Sequence, residues 1–119
     1  MSFRDTLERI CVRVEGALGA VVIAEDGIVV ERHAVDPDLD IELAGVELVS
    51  AAREVRRATA AVEAGALDEM VVSNARRLSL LRQVGPGYYL LVLMAPSGQV
   101  GRARYEIRRA AYDLAAEFA

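Results

Sequence analysis

The segment GPGYYLLVLMAPSGQVGRARYEIRRA, which begins at Gly85, constrains this chain more than any other. Its apolar run reads as a buried strand, Pro-Ser-Gly breaks that strand, and apolar residues then recur at helical spacing between arginines. A buried strand that drops straight into an amphipathic helix calls for a sheet with helices packed on it.

The rest of the chain supplies the matching pieces. Phe3, Leu7, Ile10, Cys11 and Val14 recur at steps of three and four, behind Ser2 as a cap and Asp5 three residues later, so a first helix ends near Gly16. Ala17–Ala24 and Ile28–Ala34 are short, rich in Val and Ile, and separated by Asp26-Gly27, which predicts a hairpin. Asp36-Pro37-Asp38-Leu39-Asp40 ends the strand pattern and places negative charge at the start of a long helix reaching about Glu63. In that helix Ile41, Ala44, Leu48, Ala52, Val55, Thr59 and Val62 form one stripe for packing on a sheet. Gly65 closes it. Strands are expected at about Leu67–Ser73, Arg77–Val84 and Tyr88–Ala95, joined tightly and therefore antiparallel. Ser97 is placed to cap a last helix with the inner stripe Val100, Ala103, Ile107, Ala110, Leu114 and Phe118. The order is αββαβββα.

At 119 residues, 1–119 reads as a single domain. Every one of the 14 basic residues is arginine. Without lysine there is no Walker-type phosphate lysine, Schiff base or kinase-type strand lysine, so the chain is not expected to be an enzyme that hydrolyses GTP or ATP by those means. A net charge of −4 argues against nucleic-acid binding through counterion release. That charge is divided unevenly: residues 1–64 hold 13 acids against 7 arginines, residues 65–119 hold 5 against 7. One cysteine, no membrane-length apolar run and no signal-like start fit a cytoplasmic protein with no membrane contact.

The chemistry-bearing residues mostly have structural explanations. Asp36, Asp38, Asp40 and Glu47 occupy calcium-loop positions, but Ile41 stands where that loop needs glycine, and helix capping explains the acids better. His33 and Cys11 are single, so neither a zinc site nor a Cys-His pair assembles within one chain. Gly98-Gln99-Val100-Gly101 opens a helix without phosphate-loop spacing, which leaves an anion site or a close helix–sheet approach. No cofactor and no metal are expected.

Two surfaces remain. Leu43 and Val46 lie off the long helix's inner stripe, with Ser50, Arg53 and Arg57, where a monomer normally places polar groups, and this suggests a second buried surface, expected to be a dimer interface, against the alternative of tolerated exposure. Arg104, Tyr105, Arg108 and Tyr112 on the last helix, with Arg102 and Arg109 beside them, form either a solvated face or a second partner surface.

Taken together, VEGALGAVVIAEDGIVVERHA at Val14–Ala34, the alanine-rich long helix and GYYLLVLMAPSGQVGRARYEIRRA resemble the roadblock family of dynein light-chain and bacterial gliding-regulator type. The resemblance implies an α/β fold (an α+β sandwich): a five-stranded antiparallel sheet with the long helix on one face and the two terminal helices on the other. It implies a homodimer in which the long helices and third strands meet, so that Val71 and Val72 join the interface. It also implies a small Ras-like GTPase as partner, bound by an activator or a scaffold. Gliding regulators of this family act by remodelling the GTPase rather than by an arginine finger, so no catalytic arginine is assigned. A small-ligand sensing module and a tether in a signalling complex are the alternatives.

Overall fold

The computed structural model describes residues 2–118. Among them the elements are α1 (Phe3–Arg13), β1 (Ala17–Ala24), β2 (Val29–Ala34), α2 (Ile41–Ala61), β3 (Glu69–Ser73), β4 (Leu78–Gly85), β5 (Tyr88–Met94) and α3 (Val100–Leu114). The five strands form one antiparallel sheet in the order β2-β1-β5-β4-β3. The element order is the one the residue pattern predicts, and the sheet is the five-stranded antiparallel one that the roadblock resemblance implies.

Helices cover both faces of the sheet, and that explains the composition of its strands. One face carries Ala20, Val22, Leu80, Leu90, Val92 and Met94 against Leu7 and Ile10 of α1 and Ile107 and Leu114 of α3. The other carries Val21, Ile23, Leu81, Tyr89, Leu91 and Leu93 against Ile41, Val49 and Ala52 of α2. The central strands β1 and β5 are buried on both faces, so their sequences are continuously apolar instead of alternating. Edge strand β2 alternates between half-buried and exposed residues.

Local chemistry sets most boundaries. The Asp5 N–H donates to Ser2 Oγ at 3.1 Å and the Leu43 N–H to Asp40 Oδ1 at 3.1 Å, so both predicted N-caps close their helices. Asp36 Oδ1 accepts from the Asp38 N–H at 3.0 Å, and this acid organises the turn before α2. Ser97 does not cap α3: the Gly98 N–H bonds the Ala95 carbonyl at 2.8 Å, which closes a turn, and the cap position passes to Gln99, whose side chain makes no capping bond. At this turn a Cβ on Gly98 would lie 2.8 Å from Met94 Cβ, so the glycine permits close approach to the sheet. α2 ends at Ala61, before Glu63, which takes a left-handed φ of 57° ahead of Gly65.

α2 departs from its predicted stripe. Its buried residues are Ile41, Gly45, Val49 and Ala52, a rotation of roughly 60° about the helix axis from the apolar periodicity. Gly45 is the cause. A Cβ there would sit 3.1 Å from Val21 Cγ1 and 3.3 Å from Ile23 Cδ1, so the helix lays its bare position on the two β-branched residues of β1. Ala44, Leu48 and Val55 become half-buried, and Val62 keeps 74 % of its surface exposed.

Candidate interaction surface on α2 and β3

Two ion pairs link α2 to the β1–β2 side of the sheet. Glu42 pairs with Arg32 of β2, and Arg56 pairs with Glu25 at the end of β1. The hydrogen bond to Glu25 is the main reason the Arg56 guanidinium is held even more firmly protonated than usual. The Arg56 guanidinium also lies 5.7 Å from the ring centroid of Tyr89, which is buried on β5. Burial is the chief cause that pushes the Tyr89 phenol up, with Glu25 adding to it and Arg56 and Arg53 opposing. The acidic and basic contacts of α2 are thus spent on the β1–β2 side.

At 100° per residue, the opposite flank, toward β4 and β3, presents Ala44, Leu48, Ala51, Val55, Ala58 and Val62. It is an apolar flank whose exposure increases toward the helix C-terminus. On that side the sheet ends at β3, which among the described residues pairs with β4 alone. β3 lacks the proline and lysine that usually protect an edge. Its single charge, Glu69, is turned inward to Arg104 of α3, whose Nε lies 2.9 Å from Oε2, and to Arg82 at 4.0 Å. Val71 is exposed and Val72 half-buried, on opposite faces of this edge.

Leu43, Val46, Ser50, Arg53 and Arg57 are all exposed and form a ridge pointing away from the sheet. Leu43 keeps 56 % and Val46 39 % of its surface in water. Arg57 meets Glu54 at 3.1 Å in a solvent-exposed pair that holds neither residue firmly. The residues predicted as one interface therefore occupy two neighbouring surfaces, an outward ridge on α2 and the β3 edge. Sequence periodicity missed Ala51, Ala58 and Val62 as an open flank, because it had placed the α2 stripe against the sheet.

On the opposite layer, Tyr105, Arg108 and Tyr112 of α3 are exposed, with Arg102 over the Tyr105 ring at 5.8 Å. Arg104 is set apart from them by its bond to Glu69. A surface depression of about 430 Å³ lies between Arg32 and the Pro37–Glu42 turn. The layer between α2 and the sheet is filled by the apolar residues named above. Among the described residues no helix is long and apolar enough to cross a membrane.

The sequence matches no family model and no curated protein. Solved structures are similar over nearly the whole chain. MglC from Myxococcus xanthus is 34 % identical with a TM-score of 0.70, the match covering 98 % of this chain and 99 % of that one. A Roadblock/LC7 domain from Streptomyces avermitilis is 21 % identical with a TM-score of 0.86, covering 96 % and 95 %. The gliding protein MglB from Thermus thermophilus is 16 % identical with a TM-score of 0.85, covering 97 % and 87 %. With the predicted strand and helix order, the two-faced sheet and this likeness in agreement, the chain belongs to the Roadblock/LC7 family.

Proposed function

We propose that this protein is a non-enzymatic, cytoplasmic homodimer that binds a small Ras-like GTPase and regulates or localises it. The observation that carries the reading is the separation of two open apolar surfaces on one side of the molecule. Two copies joined through the β3 edges and the α2 flanks extend the sheet across a two-fold axis. The α2 ridges, with Leu43 and Val46, then stay open for a third protein. An apolar ridge bordered by Arg53 and Arg57 has the composition of a protein-binding surface.

The test is an affinity pull-down from lysate of the source organism, with GDP or a non-hydrolysable GTP analogue added, read by mass spectrometry. A Ras-like GTPase enriched with the analogue, and lost with Leu43→Glu/Val46→Glu, is the expected result. Recovery of no GTPase under either nucleotide overturns the proposal.

A further inference from the structure

The arginines of α1, β2 and β4 each meet a carboxylate of their own chain. Those on the outer face of α3 do not. Arg102, Arg108 and Arg109 have no ionic partner among the described residues, although the chain as a whole is acidic. The two acids of α3 are committed elsewhere: Glu106 is buried toward Arg13 at 3.5 Å, and Asp113 holds Arg9 at 3.0 Å. No acid stands in the first turn, where the helix dipole favours one, and Arg102 occupies it instead. The electrostatics of this face oppose the helix that carries it.

Two further features share the face. Tyr105 and Tyr112 project from it, Tyr112 with 85 % of its surface exposed. Gly101 lies in line with them one helical turn before Tyr105, and nothing comes within 4 Å of where its Cβ would be. An exposed glycine in a helix weakens it without a packing reason inside this chain, whereas it lets another backbone approach closely.

We infer that the Gly101–Tyr112 face of α3 is a docking surface for a carboxylate-rich segment of a partner protein, separate from the α2 surface on the opposite layer. Charge complementarity selects the occupant. Three arginines in a face about 15 Å long are too few for affinity built on counterion release from a nucleic acid. A membrane-surface helix needs an apolar face for the lipid, and the apolar face of α3 is buried in the core. Arginine and tyrosine around a bare glycine suit a protein segment, with guanidinium–carboxylate pairs flanking aromatic contacts.

The experiment titrates the full chain, labelled with ¹⁵N, with a peptide of about sixteen residues built from Glu-Glu-Leu-Ala repeats at low salt, about 50 mM. Amide shifts confined to residues 101–112 are expected. They should weaken about tenfold in Arg102→Gln/Arg108→Gln/Arg109→Gln, through the loss of three charge pairs. Gly101→Leu should raise the melting temperature while weakening the peptide, a split that a purely structural glycine does not give. Leu43→Glu/Val46→Glu should leave peptide binding unchanged. No shifts on α3, tighter binding of a single-stranded oligonucleotide or of phosphatidylserine vesicles than of the peptide, or arginine-dependent self-association in place of peptide binding each overturns the inference.

Discussion

The α2 flank permits a quantitative prediction through Ala58→Glu/Val62→Glu. In the single chain Ala58 is exposed and Val62 keeps 74 % of its surface in water, so folding loses little beyond a helix-propensity difference of about 0.4 kcal/mol. In a pair closed on this flank, the lost burial of three quarters of a valine costs about 1.2 kcal/mol per chain, or about 2.5 kcal/mol for both. Of the four added carboxylates, the two at position 58 lie one turn from Glu54 and the two at position 62 one turn beyond them, and at a low-end cost of about 1 kcal/mol each for poorly paired, desolvated charge they add about 4 kcal/mol. The total of about 6.5 kcal/mol corresponds to a loss of nearly five powers of ten in the dimer constant. Sedimentation equilibrium across a concentration series should find a single-chain mass where the parent chain is paired, with an unchanged far-UV circular dichroism spectrum. A variant that pairs within about tenfold of the parent constant would refute burial of this flank.

Two other predictions concern a buried carboxylate and a half-buried thiol. Glu106 is 1 % exposed and its ionic partner is Arg13, so Arg13→Leu should cost about 3 kcal/mol in urea unfolding by stranding a carboxylate, while Glu106→Leu should be neutral or stabilising; equal losses would disprove the asymmetry. Burial pushes the Cys11 thiol from 9.0 up to about 11, so at neutral pH native protein should alkylate far more slowly than unfolded protein. Because the unfolded chain releases this proton first, the stability it confers is complete below about pH 9 and is lost as pH rises toward about 11. Cys11→Ala should flatten that part of the profile, and the buried Tyr89 phenol should leave a remaining decline of the same sign at higher pH. An identical alkaline slope in parent and variant would contradict the assignment.

The sequence by itself determined the kinds of element and their order, because each rests on local chemistry. Ser2 and Asp40 cap helices through bonds to residues three positions on. The continuous apolar runs of β1 and β5 announce burial on two faces before any partner is known. The helical periodicity of α3 names its core residues and leaves Tyr105, Arg108 and Tyr112 outside.

The rotation of α2 was settled by the tertiary structure. Periodicity weighs a glycine as nothing, yet Gly45 faces Val21 and Ile23 because only there does a missing side chain allow the helix to come close. That contact turns Ala51, Ala58 and Val62 toward the open β3 side and leaves Leu43 and Val46 as a ridge. The ion pairs behave the same way. Nothing local distinguishes Arg104 from Arg108, but the fold brings Glu69, thirty-five positions away, against the first and, among the described residues, brings no acid to the second. Capping and periodicity act over a few residues and are written in the chain, whereas the surfaces left for partners depend on which distant groups the packed sheet brings together.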